Sequence, residues 1–367
     1  MASNYVIKGV TTLYLALAWI PAWGSAEESR TPDWRQVLMD KEGWIEGGAE
    51  FLYMSSTLTP TFAGEQDLIN ALIPVNAAIP VQSRRSESID PEYNAGFNLF
   101  LRYRPPTNND LGLYYSYLHN DGDGNLNRDV IDSTSIPNEQ QRNFQDDKGH
   151  MHIHLHVLDF LFGRTLPINS QMALRLGGGL SYNDFHASLN FRNNDLIQTL
   201  SGGVVTEFNQ IFLSSQQKEH LWGLGPKGTI DFDFSLLPIQ WSHDLNFYLL
   251  AQFALLYSKN WSQGILTTAS SSKLGAEGNA IRWENHPKYG FIPNISLDVG
   301  VTYRLHTTNQ VKYNFAVGYR ILTYWELDTF DRSRLFSGGP DQLNSNAHLF
   351  DDDFSFAGPY FRFSIAY

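Results

Sequence analysis

The chain has 367 residues, 42% hydrophobic and only 17% charged, with a formal net charge of -12 and no cysteine. The lack of thiols excludes a disulfide framework, a thiolate metal site and a cysteine nucleophile, and the acidic balance makes nucleic acid a poor partner. Beyond the N-terminus no run approaches twenty consecutive apolar residues, which excludes a helical membrane protein; 14% aromatics and 29 glycines at this low charge point to many short strands.

The first 26 residues read as an export signal. Lys8 supplies the positive charge, Gly9–Trp23 is apolar, and Gly24, Ser25 and Ala26 are small residues at the cleavage position, followed by Glu27 and Glu28. Residues 27–43 are then a periplasmic segment and 44–367 the folded body. Loss of Lys8 takes the formal charge to about -13.

From Trp44 onward, ten runs alternate apolar and polar residues with period two. Trp44–Ser55 sets Glu46 and Glu50 opposite Ile45, Ala49, Phe51 and Tyr53. Tyr93–Tyr103 sets Phe97, Leu99 and Leu101 opposite Asn98 and Arg102. Leu111–His119, His150–Arg164 and Gln171–Phe191 follow. Leu221–Phe234 carries Lys227, Thr229, Asp231 and Asp233 on its polar face. Leu245–Tyr257, Phe291–Arg304 and Val311–Trp325 alternate clearly, and Phe354–Tyr367 ends the chain. The connectors also alternate. Short ones lie near Pro105–Asp110, Thr165–Ser170, Leu236–Asp244 and Leu305–Gln310. Long ones lie near Ser56–Glu92, Asn120–Gly149, Arg192–His220, Ser258–Lys288 and Leu327–Asp353.

In hydrocarbon every backbone N–H and C=O must be paired, so only helices or a closed sheet can span it. An even strand count with alternating loop lengths therefore predicts an all-β, antiparallel transmembrane barrel of about ten strands, eight to fourteen being allowed. Its short turns are periplasmic and its long loops external. Tyr93, Tyr103, Tyr257, Tyr289, Tyr303 and Trp325 sit near strand ends, where amphipathic rings suit the headgroup level.

The register predicts charged lumen residues: Glu46, Glu50, Arg102, Arg175, Lys227, Asp231, Asp233, Asp298, Lys312, Arg320 and Arg362. Facing rows of opposite charge can set a transverse field and a size filter, or can pair and fill the lumen. His150, His152, His154 and His156 share the polar face of one strand and are expected to line the lumen or rim; a pH-sensitive constriction or a shared metal is the functional form of that expectation. No metal and no cofactor are assigned. Asp121–Asp123 and Asp351, Asp352 and Asp353 read as acidic loop clusters, without the later glutamate of a calcium loop. Gly223-Leu224-Gly225-Pro226-Lys227-Gly228 matches a dinucleotide fingerprint in form only. It precedes a strand rather than a helix, and Pro226 lacks an amide. No catalytic constellation stands out, and no enzyme is expected.

The last strand places Phe361, Phe363, Ile365 and Tyr367 at alternate positions, the pattern that barrel-assembly machinery is known to read. The chain also resembles the Legionella-type major outer-membrane protein family of pore-forming barrels. The residues that carry the likeness are Gly47–Tyr53, Leu158–Arg164, Trp222–Gly228, Leu255–Tyr257 and Val317–Tyr319, the Gly-Pro block being the most specific. The resemblance covers roughly residues 44–367 and implies a porin-like role. Members of that family often carry cysteines; this chain has none, so disulfide-linked subunits are not expected.

These readings predict an outer-membrane porin of a Gram-negative-type cell, passing small hydrophilic solutes and ions passively. Its partners are outer-membrane lipid, the barrel-assembly machinery and those solutes, with homo-oligomerisation left open. The alternative is a non-enzymatic adhesin or structural surface protein acting through the long loops. Ten strands lie near the size at which side chains fill the interior. A small, polar lumen would favour transport, as Gly177, Gly179, Ser181, Ser296, Gly300, Ser364 and Ala366 suggest; a bulky, interlocked one would favour the scaffold.

Overall fold

The computed structural model describes residues 43–56, 61–62, 87–88, 90–106, 108–133, 139–169, 171–201, 204–236, 243–272, 275–284, 287–306, 311–328 and 351–367. The export signal, the segment before Gly43 and most of the Ser56–Glu92 and Leu327–Asp353 connectors lie outside these residues. The long strands are β1 (Trp44–Ser56), β2 (Asn94–Arg104), β3 (Asn109–Ser133), β4 (Glu139–Pro167) and β5 (Met172–Ser201). They continue with β6 (Val204–Ser235), β7 (His243–Ser272), β8 (Gly275–Glu284), β9 (Lys288–His306), β10 (Lys312–Asp328) and β11 (Asp351–Ala366). Three two-residue strands lie between β1 and β2.

Every neighbouring pair is antiparallel. The ring runs β1–β7, then β9, β10 and β11, and closes where β11 pairs β1. That is the ten-strand closed barrel expected from the periodicity. Strand β8 stands outside the ring and pairs only the far end of β7, above the point where β9 leaves it. The seam is sewn to its last residue: the Ile45 amide donates to the Tyr367 carbonyl at 2.8 Å, and the Tyr367 amide donates back at 2.9 Å. Among the described residues, closure leaves no free edge across the lipid-facing part of the ring, which is the condition for crossing hydrocarbon, and the one-sided pairing of β8 lies beyond it.

Three of the expected long loops are corrected. Asn120–Gly149, Arg192–His220 and Ser258–Lys288 are mostly strand, interrupted by stretches of five residues or fewer that lie outside the described residues, with β3–β7 running 25, 29, 30, 32 and 30 residues. A 30-residue strand reaches roughly 100 Å, about three times what a tilted strand needs to cross a membrane. Their polar composition reads as loop because both alternation and hydropathy weaken once the outer face meets water.

The outward face changes character along each long strand. Near the short turns it is apolar: on β4, Leu158, Phe160 and Phe162 are outward and about half exposed. Leu99 and Leu101 on β2, Phe253 and Leu255 on β7, and Val317 on β10 continue the band. One cross-strand row, Tyr115–Leu158–Tyr182–Leu224–Tyr257–Phe291, rings its upper limit over β3 to β9. Amphipathic rings fit that headgroup boundary. Beyond it the polarity inverts. On β4, Met151, Ile153, Leu155 and Val157 turn inward and are buried, while the alternate residues face out. Outside the lipid, the wall buries its apolar residues in the barrel interior, as a soluble protein does.

Candidate functional site

All eleven charged residues expected in the lumen stand on the inward face of their strands. They do not line an open bore. Among the described residues most of them are knitted into ion pairs across the interior. Glu46 accepts from Arg102 Nε at 3.0 Å, from Ser364 Oγ at 2.6 Å and from Asn314 at 2.9 Å. Glu50, 2% exposed, accepts from Asn98 at 2.9 Å and from Arg362, and meets Arg320 Nη1 at 3.0 Å. Arg320 also grips Asp298 through two parallel bonds of 2.8 and 2.6 Å. Lys227 holds Asp159 at 2.6 Å, and Arg304 reaches Asp233.

Two acidic partners were not singled out from the sequence. Asp110 is fully buried and accepts Arg175 in a fork of 2.8 and 2.5 Å. It sits one residue past a short turn and reads as turn chemistry. Asp159 lies between Leu158 and Phe160 in an almost wholly apolar run, which masks its parity. With these two and Arg304 included, six carboxylates (Glu46, Glu50, Asp110, Asp159, Asp233 and Asp298) pair six cations (Arg102, Arg175, Lys227, Arg304, Arg320 and Arg362), and Asp231 and Lys312 add one charge of each sign to the interior. The interior field is therefore close to balanced. Low-dielectric walls make each pair strong and each unpaired charge costly.

Two cavities run through this charged layer. One of about 210 Å³ reaches the short-turn end beside Trp44, Arg104, Arg304 and Lys312. The other, about 120 Å³, lies deeper, beside Asp159, Asn183 and Lys227. They share Glu46, Arg102, Arg175, Asp231 and Arg362 as walls. Together they have room for on the order of ten waters. Beyond the deeper cavity a collar closes the interior: Leu52, Met54, Ile153, Leu155, Phe354 and Phe356 are each at most 1% exposed and belong to one cluster. Tyr324 caps its lower side, donating to Asn183 at 2.6 Å.

Gly300, one of the small residues that suggested a roomy lumen, instead accepts a bulky neighbour, and so does Gly318. A Cβ at Gly300 would stand 2.7 Å from the Tyr248 hydroxyl, and one at Gly318 would stand 2.9 Å from the Tyr360 ring. Tyr248 and Tyr360 in turn meet hydroxyl to hydroxyl. At Gly179 a Cβ would fall 1.9 Å from the Phe160 carbonyl oxygen. Large rings thus lie over glycine backbone, and the wall interlocks.

The four histidines require a correction. His150, His152, His154 and His156 do share one face, but it is the outer one, opposite the buried Met151, Ile153, Leu155 and Val157. They form no lumen lining and no constriction. The sequence shows the phase change as adjacent apolar residues, Val157-Leu158, where the apolar series passes from one face to the other. Asp121 and Asp123 are likewise outer-wall strand residues of β3, hydrogen-bonded to histidines, not a loop cluster. Asp351, Asp352 and Asp353 open β11. The Gly-Pro block lies within β6, with no helix after it. Phe361, Ile365 and Tyr367 face outward and exposed along β11, with Phe363 on the same face.

A family model described as Legionella pneumophila major outer membrane protein precursor matches residues 40–367. No curated protein sequence matches. Among solved structures, the chain is similar to the outer membrane protease OmpT from Escherichia coli at 8% identity, over 88% of this chain and 96% of that one, with a TM-score of 0.36. The Ralstonia pickettii toluene transporter TbuX is similar at 8% identity, over 90% of each chain, with a TM-score of 0.24. At these values no residue role passes from either to this chain.

Proposed function

The chain belongs to the Legionella pneumophila major outer membrane protein family and is an outer-membrane β-barrel, and we propose that it is a narrow porin, closed at rest, that passes small hydrophilic solutes and ions by passive diffusion. The observation that carries this reading is the pair of wall-sharing polar cavities leading from the short-turn end to the collar. That end is periplasmic and the long strands project outward. The apolar collar is the gate, because a constriction of this kind excludes water until its side chains part. The balanced charged layer below it gives little preference between cations and anions. Turnover and a cofactor have no part in this reading. Residues 1–26 direct export and are cleaved, and the outward aromatic series ending at Tyr367 serves recognition by the assembly machinery.

A second reading has its own support. The ring-over-glycine interlocks and the buried collar suit a non-enzymatic surface scaffold or adhesin acting through its projecting hairpins. Single-channel recording in planar bilayers separates the two. The wild-type barrel is expected to give brief, small steps, and Phe354→Ala/Phe356→Ala to lengthen and enlarge them several-fold. A collar variant that keeps its β circular dichroism yet stays silent removes the porin reading and leaves the scaffold.

A further inference from the structure

The corrected position of the histidines exposes an arrangement that transport does not use. Direct cross-strand pairing sets His119, His154, His186, His220 and Trp261 side by side on five successive strands, β3 to β7. All five face outward. The row stands four residues, roughly 13 Å along the strand, beyond the aromatic row that limits the lipid-facing band. His119 and His154 rings lie 4.8 Å apart, His186 and His220 rings stack at 3.9 Å, and Trp261 meets His220 edge-on at 4.2 Å. One row further out, His152 packs on His154 at 4.1 Å. A surface pocket of about 190 Å³ lies over the row, between His152, His154, His186, His220 and Trp261.

We propose that this outer wall binds a borderline transition-metal cation, with zinc as the type ion, on His119, His152 and His154, and a second ion on Asp184, His186 and His220. Within each trio the ligand atoms lie within 4.8 Å of one another. A tetrahedral zinc with nitrogens at about 2.0–2.1 Å sets its ligands roughly 3.3 Å apart, so small side-chain rotations complete either site. Imidazole nitrogens select such ions over magnesium or calcium, which take oxygen ligands.

The surrounding hydrogen bonds point the same way. The Asp121 carboxylate takes the Nδ1 proton of His152 and also meets His119 Nε2 at 2.9 Å. A carboxylate can only accept, so it leaves His152 Nε2 with a free lone pair. This carboxylate–histidine relay is the usual support of a metal ligand. The Tyr117 hydroxyl, 2.8 Å from His154 Nδ1, fixes that ring with its Nε2 turned toward His152 Nε2. His119 Nδ1 and His220 Nδ1 are both buried with no hydrogen-bond partner. In the second trio, Asp184 takes His220 Nε2 at 2.5 Å and lies 3.4 Å from His186 Nε2. An acidic group beside the first trio, Asp121, and one inside the second, Asp184, favour a cation over a phosphate. Without metal, the same groups form a hydrogen-bonded chain in which Tyr117 donates to His154, His154 to His152 and His152 to Asp121.

The test is zinc titration of the full, tag-free chain folded in detergent, followed by calorimetry and by the visible absorption of cobalt substituted for zinc. Wild type is expected to take two equivalents with tetrahedral cobalt bands, undisturbed by a roughly hundredfold excess of magnesium. His152→Ala/His154→Ala should lose one equivalent and His220→Ala the other. Asp121→Asn should keep both equivalents but weaken the first about 10–100-fold. All four substitutions lie on the outer wall, and circular dichroism verifies the barrel in each. Absence of saturable zinc binding by wild type, or binding by the double variant equal to wild type, overturns the proposal in favour of the hydrogen-bonded chain.

Discussion

Glu50→Gln is the sharpest probe of the charged layer. The carboxylate is 2% exposed and receives two guanidinium groups, Arg320 at 3.0 Å and Arg362, besides the Asn98 amide. A pair of unit charges about 3 Å apart interacts by about 5 kcal/mol at an effective dielectric of about 20. Most of that attraction offsets desolvation, so the pair adds little net stability. Removing one partner is different, because the partly buried cation left behind is unmatched; the loss is at most the roughly 3–5 kcal/mol of a fully buried pair. Arg320 retains its fork to Asp298, whereas Arg362 is left over the rings of Phe100, Tyr248 and Tyr360. The loss should therefore track Arg362. Urea unfolding in lipid vesicles, followed by tryptophan fluorescence, is expected to show the folding constant reduced by at most about two to three and a half powers of ten, at 1.4 kcal/mol per tenfold. Glu50→Gln/Arg362→Gln should recover half or more of the loss. A single variant within about 0.5 kcal/mol of wild type, the range of ordinary surface changes, refutes the reasoning and makes the layer solvent-screened.

Three further outcomes follow from the band, the interlocks and the leader. Phe162→Arg, on a lipid-facing position inside the band, should cost about 2–4 kcal/mol in the same unfolding assay, whereas Gln216→Arg, outward beyond the aromatic row, should stay within about 0.5 kcal/mol; equal effects would misplace the band. Gly318→Ala puts a methyl 2.5 Å from the Val299 carbonyl oxygen and 2.9 Å from the Tyr360 ring, an overpacking expected to cost about 1–3 kcal/mol, and an unchanged urea midpoint would show the wall to be loose there. N-terminal sequencing of the outer-membrane form should begin at Glu27, and a chain still carrying Met1 or Ala2 would make the apolar segment an anchor.

The barrel was legible because lipid imposes a strict rule on one face. In β2, Phe97, Leu99 and Leu101 against Asn98 and Arg102 can be read no other way, and the register that places Glu46 and Glu50 inside follows from the same alternation. What failed was the assumption that one rule holds for a whole strand. On β4 the outward, even-numbered residues are apolar from Leu158 to Phe162 but are histidines from His150 to His156, where the apolar series is the inward, odd-numbered one from Met151 to Val157. Read as a single amphipathic run, that strand turns its histidines inward. The inward positions of Asp110 and Asp159 were missed for a related reason: turn residues hid the first, and apolar neighbours on both sides hid the second. The hairpins beyond residue 120 carried too little hydrophobic contrast to announce strands, since water satisfies whatever polar groups face out.

The same inversion explains where the proposed gate lies. Inside the hydrocarbon, the outer face already meets its apolar requirement, so the interior is free to be charged and wet. Past the aromatic row the outer face meets water. There the hydrophobic effect acts on the interior alone, and the wall holds together by burying Met151, Ile153, Leu155, Phe185 and Leu256 against Phe354 and Phe356. The collar is thus the hydrophobic core of the projecting part, and it stands in series with the ion-pair layer below. A solute crossing the lumen would have to part the collar without melting it. Single truncations there, each worth about 3–5 kcal/mol for Phe→Ala, should therefore raise conductance and lower stability together, whereas charge substitutions below the collar should alter stability and ion preference without lengthening the open time.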